Sequence, residues 1–454
     1  MPIHPIDFRY GSEEMKQIFE EEAKLQRLLD VEAALARAHA KVGNIRKEDA
    51  DTISKKANTD LVTVSRVKEI EAETRHDLMA VVKALSEKCG EAGKYVHLGA
   101  TSYDIVDTAN ALQFKDGLRI IRSDLFELEG ILLDLAEKNI GTVAVGRTHG
   151  QHAVPTTYGL KFALWAHELR EHLHRIDEAK ARVLVGKMSG AVGTMASFGE
   201  KGIEIQELVM KDLGITPVLV SSQIVQRERY AEIISLLALI ASTLDKMSRE
   251  VRNLSRTEIM EVSEKFQSDK QVGSSTMPHK RNPITAEKVC GLSRVIKSNV
   301  FVALENVSLE HERDLTNSSC ERVIIPESFI LLDEVLKSSK RIFSSLVLYP
   351  ENIKRNLWMT KGLNLAEAVM IVLTKKGMGR QEGHELMRRL TIKAQEEGRD
   401  FAEVLGADSE VSQYLTKGEI EAALTPDRYI GMAVEQVKRV LEVARKERRG
   451  IKSF

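Results

Sequence analysis

The chain is short of the residues that build several common classes of protein. Three cysteines in 454 residues, Cys89, Cys290 and Cys320, lie far apart with no CxxC pair. That excludes a disulfide framework and points to a reducing, cytoplasmic setting. Nine prolines and 5% aromatic residues are too few for a sheet-rich protein. No long apolar run is present: the longest uncharged one, IISLLALIASTL at 233–244, falls short of the roughly 18 residues a membrane helix needs. The opening MPIHPIDFRYGSEE lacks the basic-then-apolar pattern of a signal peptide, so neither secretion nor a membrane is expected. A formal net charge of -1 argues against a general binder of nucleic acid, so any attraction for anions must be local. There is also no GxxxxGK[ST], GxGxxG or HExxH, which removes the commonest phosphate-loop, dinucleotide and zinc-protease chemistries. His167, His172 and His174 do not make a metal site, because His172 and His174 fall on opposite sides of a helix and no carboxylate pattern accompanies them. No metal and no cofactor are expected.

What is present is helix. Segments 118–140, 160–185, 218–272, 292–325 and 327–349 contain a single glycine, Gly130, and no proline. Each carries apolar residues at three- and four-residue intervals, as in Leu236, Leu237, Ile240, Leu244, Met247 and Val251. The expectation is an all-α protein of three helical domains: an N-terminal domain at 1–105, a central bundle of long helices at 106–350, and a small C-terminal domain at 351–454. The 233–244 stretch is apolar nearly all round and must be covered on every side, which favours a homo-oligomer packing bundle against bundle.

Against this background the loop GSSTMPHKRNP at 273–283 stands out, following 55 residues without glycine or proline. Further polar clusters are DFRYG (7–11), ETRHD (73–77), HLGATSYD (97–104) and GRTHGQHAVPTT (146–157), while EHERDLTNSSCER (310–322) lies in a stretch that reads as helical. Singly, each also has a structural explanation. Thr74 or Thr101 suits a helix N-cap, with Asp104 at capping-box spacing from Thr101; His149 suits a buried loop position; the 310–322 charges suit a solvated face. Together they bring Arg9, Arg75, Lys280, Arg281, Arg313 and Arg322 alongside His76, His97, His149 and many hydroxyls. That is a set for gripping a small polyanion and moving protons on it.

The loop matches GSSxMPxKxNP at all eight fixed positions and resembles the signature of the fumarase/aspartase superfamily. Within that superfamily TRHD, GRTHGQHA and HERDLTNSSCER resemble the adenylosuccinate lyase family, over Arg9 to Arg322. The resemblance implies an all-helical homotetramer with active sites shared between subunits, acting on a small nucleotide substrate by eliminating fumarate from a succinyl group. It implies Ser274 as the catalytic base and His149 as the acid. It implies that Lys280 and Asn282 of the same loop meet the carboxylate where charge develops, that Ser275 is a further substrate contact there, and that Glu287 steers charge nearby. Arg9, Tyr10 and Arg75 suit the phosphate and sugar, His76 the other end of the succinyl group or the phosphate, and Thr101 and Ser102 a carboxylate, with Asp77 a further substrate contact. Gln223, Arg313, Ser318 and Arg322 are carried over as further substrate contacts. The sequence departs from the family wording at Tyr103, where a smaller or amide residue is usual, and at Cys320, where alanine is common; neither is assigned chemistry. Argininosuccinate lyases and the carboxymuconate cycloisomerases have similar loops, but TRHD and HERD argue against both. A silent helical scaffold is the rival of another class, against which Ser274, His149 and Lys280 count together.

Overall fold

The computed structural model describes residues 4–265, 276–277 and 279–450. Among them are 18 α-helices and only six short strands, paired as three two-stranded sheets. The all-α expectation is met. Five helices are long: Ser102–Lys138, Tyr158–Val183, Glu228–Leu254, Ile284–Glu305 and Thr316–Ser344. The first has 37 residues and is about 55 Å long at 1.5 Å per residue. Their apolar periodicity is used as expected: Leu237, Ile240, Leu244 and Met247 are all fully buried.

Two of the glycine- and proline-free stretches are not single helices. Within 218–272 the described helix covers only Glu228–Leu254, and within 292–325 the chain leaves helix after Glu305 and re-enters at Thr316. In both places side-chain hydrogen bonds give the backbone an alternative to helix. The Val225 N–H donates to Asp107 Oδ2 at 2.8 Å. Asp314 accepts from the N–H groups of Glu310 and Thr316, each at 2.7 Å. Residues 310–315 therefore form a loop rather than a helical face. Conversely, Pro326 does not break Thr316–Ser344, although it removes the helical bond to the Arg322 carbonyl.

The chain divides into two compact units: residues 1–125, 172–245 and 288–338, and residues 126–171, 246–287 and 339–454. Each boundary falls within a long helix. The first unit has a core built on helices Glu21–Lys41, Asp77–Cys89 and Gly202–Leu213, with Leu29, Val31, Leu85 and Ile205 fully enclosed. In the second unit a core over Leu365–Leu424 is made by short helices. In the same unit the last helix, Ala433–Gly450, is clasped by charge: Arg170 Nε donates to Glu129 at 2.5 Å and Arg448 Nη1 to the same carboxylate at 2.6 Å. No described helix is long and apolar enough to cross a membrane.

Candidate active site

In the first unit the predicted residues sit at helix ends. ETRHD is a junction: Arg75 closes helix Val64–Thr74 in the left-handed conformation (φ 55°), and His76 caps helix Asp77–Cys89 by accepting from the Met79 N–H. Thr74 is thus the last helical residue, its hydroxyl donating to the Ile70 carbonyl at 2.9 Å, and not an N-cap. Arg322 Nη2 reaches Asp77 Oδ2 at 2.6 Å. Lys24, which the sequence reading passed over, lies close enough to feel both: burial and then the Arg322 charge push its pKa down. Arg9 closes a four-residue helix and lies beside the Tyr10 ring, 5.9 Å from its centroid. The segment that follows is fixed to helix Thr316–Ser344, with Ser12 N–H donating to Asp333 at 2.7 Å and Gly11 N–H to Glu334 at 3.2 Å.

HLGATSYD is held from behind by buried charge. His97, at φ 65°, puts its Nδ1 2.7 Å from Glu32. Burial pushes this imidazole's pKa down, but the Glu32 carboxylate outweighs it and leaves the pKa above the ordinary value. Asp104, fully buried, accepts from the N–H groups of Thr101 (2.8 Å), Ser189 (2.8 Å) and Gly190 and pairs with the equally enclosed Lys187. The capping-box spacing therefore has its reason. The Thr101 N–H is consequently engaged. One turn on, Asp107 accepts from both terminal nitrogens of Arg227 at 2.9 Å. Arg227 in turn donates to Glu321 at 2.8 Å and lies over the Tyr230 ring, 4.2 Å from its centroid. A buried cation between two carboxylates is stable because every charge has partners.

Above this layer stand three predicted contacts. Arg313 Nη1 donates to Gln223 Oε1 at 3.0 Å, and Gln223 Nε2 donates to the Ala191 carbonyl at 2.9 Å. Ser318, in the first turn of its helix, receives a hydrogen bond from the Tyr103 hydroxyl at 3.1 Å.

In the second unit GRTHGQHAVPTT is a β-hairpin, Val143–Thr148 against Gln151–Thr157. Thr148 pairs with Gln151, leaving a two-residue loop of His149 (φ 53°) and Gly150 (φ 74°). Both φ values are positive, as the tight hairpin turn that matches strand twist requires. His149 is exposed at the tip, so the buried-loop explanation does not hold. The register shifts at Gly146, where a Cβ would lie 2.7 Å from the Val154 carbonyl. The hairpin is pinned by Glu261, a buried carboxylate that receives Arg147, next to the turn, at 2.5 Å, the Tyr158 hydroxyl, at the hairpin's base, at 2.6 Å, and Asn356 at 2.9 Å. Burial pushes the Glu261 pKa up, but these hydrogen bonds prevail and hold it below the ordinary carboxylate value.

Ser274 and Ser275 lie outside the described residues. Of the same loop, Lys280 is exposed with its N–H on the Met277 carbonyl at 3.0 Å, and Asn282 precedes helix Ile284–Glu305. Glu264 caps that helix by accepting from the N–H groups of Thr285 and Ala286, at 3.2 and 2.7 Å. Glu287, in its first turn, is exposed. A cavity of about 580 Å³ in this unit, lined by Trp358, Lys354, Lys361 and Asp400 among others, contains none of the residues singled out. Asp107, Arg227 and Glu261 were missed in sequence because a buried salt bridge between distant segments leaves no local pattern; the only trace was two aspartates one turn apart in an apolar helix.

Comparison with known proteins agrees with this geometry. The chain matches the model of the family described as lyase over residues 7–297 and that described as adenylosuccinate lyase C-terminus over 362–440. A solved structure, the 3-carboxy-cis,cis-muconate lactonizing enzyme of Pseudomonas putida, superposes with a TM-score of 0.88 at 33% identity, covering 97% of this chain and 99% of that one. Higher identity comes from sequences: the adenylosuccinate lyase of Pyrococcus horikoshii is 64% identical over 99% of this chain and all of its own length. That of Methanothermobacter thermautotrophicus is 54% identical over 98% of this chain and all of its own. Fold and family matches together define a helical lyase. Within that class the chain belongs to the adenylosuccinate lyase family.

Proposed function

We propose that the chain eliminates fumarate from adenylosuccinate, leaving AMP, and from the succinyl-carboxamide ribonucleotide SAICAR, leaving AICAR, as a lyase of purine biosynthesis. The observation that carries this is the 64% identity to an adenylosuccinate lyase across essentially the whole chain, against 33% to the muconate enzyme. Ser274 takes the proton from the carbon beside one carboxylate, and the electron pair spreads onto that carboxylate, where Lys280 and Asn282 meet the charge with Ser275 beside them. The pair then forms the new double bond as the C–N bond breaks, and His149 gives its proton to the departing nitrogen. An imidazole at a turn tip is open to a ligand, which suits this part. Glu287 steers charge near the pair. Thr101 and Ser102 hold a carboxylate; Arg9, Tyr10 and Arg75 take the nucleotide end; His76 meets the other end of the succinyl group or the phosphate; Asp77, Gln223, Arg313, Ser318 and Arg322 complete the grip. The work needs no cofactor and is done in the cytoplasm.

The assembly is read as a homotetramer whose sites draw on more than one subunit. Supporting this, Leu239, Phe301 and Leu304 are 47%, 69% and 54% exposed on the single chain, large apolar side chains that a packed neighbour would cover. Incubation of purified protein with adenylosuccinate or argininosuccinate, following ultraviolet absorbance and fumarate, tests the activity: only the first substrate responds. Fumarate from argininosuccinate alone refutes the reading. Mixing inactive Ser274→Ala and His149→Ala chains tests the sharing, since hybrid sites that regain both residues restore part of the rate.

A further inference from the structure

Tyr103 is one of the two positions at which the sequence departs from the family wording, and it touches two of the predicted ligand contacts at once. Its ring lies under the Arg313 guanidinium, whose carbon is 3.4 Å from the ring centroid, and its hydroxyl donates to Ser318 Oγ at 3.1 Å. The ring itself is fixed: Tyr103 is 8% exposed, with the enclosed Arg227 guanidinium 5.7 Å from its centroid. Arg313 is thereby held flat, with Nη1 on Gln223. Its Nε–H remains buried with no hydrogen-bond partner among the described residues, as does Asn317 Oδ1 at the start of the following helix. A buried guanidinium N–H left unpaired is costly unless something else accepts from it.

We propose that Tyr103 is a positioning residue for substrate binding: it clamps Arg313 and Ser318 in place so that the free Arg313 Nε–H meets an acceptor on the bound anion. The proposal rests on the reading of Arg313 and Ser318 as substrate contacts. Such an effect is paid in binding before the chemical step, so it appears in KM and leaves kcat largely intact.

The test is a comparison of Tyr103→Phe, which keeps the ring and loses the hydroxyl, with Tyr103→Leu, which loses both. With adenylosuccinate, Tyr103→Phe raises KM about 3- to 10-fold, the worth of one hydrogen bond, and Tyr103→Leu raises it further. In an Arg313→Ala background, Tyr103→Leu then adds less than about twofold, because the group it positions is gone. A KM unchanged in Tyr103→Leu, or effects of the two changes that simply multiply, overturns the proposal. So does a variant whose only change is a lower melting temperature. A crystal structure of Tyr103→Leu gives a reading independent of activity: Arg313 leaves its place and its bond to Gln223 is lost, whereas an unmoved Arg313 overturns the clamp. Wild-type protein inert toward adenylosuccinate refutes the proposed function instead, and the crystallographic outcome still decides the clamp.

Discussion

Arg313 and Ser318 in the first unit are held by Tyr103, on the same 37-residue helix as the buried carboxylates Asp104 and Asp107, whereas His149 in the second unit sits at the end of a hairpin anchored by the single loop carboxylate Glu261. The first arrangement encloses its counter-charges completely: Lys187 and Arg227 are both fully buried. The second leaves Arg147 partly open, its side chain 20% exposed. A group that must hold an anion gains from a rigid bed fixed before the ligand arrives, because charges already in place need no reorganisation. A group that must deliver a proton has to be reachable, and a turn tip supplies that at the cost of fewer supports.

Substitutions at the two places break or sharpen this contrast. The largest effect is expected at the tip and its partner: His149→Ala or Ser274→Ala lowers kcat by about 10²- to 10⁴-fold, measured as fumarate release, while Arg313→Ala acts mainly through KM. A variant of either catalytic residue with near-full turnover removes its assigned role. Next in size, Asp107→Ala leaves Arg227 with one carboxylate in a closed site and costs about 3–5 kcal/mol of stability by denaturant unfolding. Glu261→Gln is milder, about 1.5–3 kcal/mol at neutral pH, since a polar partner remains for Arg147. Its pH dependence has a definite sign. The folded pKa of Glu261 is depressed, so its contribution is present above the unfolded value and disappears as pH falls through the folded one; wild type and Glu261→Gln therefore converge in acid. The smallest effect is Gly150→Ala, where φ is 74°: about 1 kcal/mol in thermal unfolding.

The helices were legible because a 3.6-residue apolar period survives in single sequence, and Leu237, Ile240 and Leu244 are buried as that period requires. The hairpin was not, since Gly146, Gly150 and Pro155 read as loop punctuation and the turn pair His149–Gly150 is not among the dipeptides that announce a hairpin. The breaks near 219–227 and 306–315 escaped for a related reason: neither contains glycine or proline, and each is set by carboxylates such as Asp107 and Asp314. The polar clusters themselves were legible as chemistry, yet what holds them was not. Asp107, Arg227 and Glu321 are far apart in sequence and meet only in the fold, and Tyr103 looked like a mere departure until its ring was seen beneath Arg313.

The connection between the two strands at 149–150 has no slack. One inserted residue between Thr148 and Gln151 would turn the imidazole's backbone carrier into a wider loop, and one inserted in either strand would send every following side chain to the other face. Length is therefore as strictly constrained here as identity, and natural variants should accept substitutions along these strands far more readily than insertions or deletions.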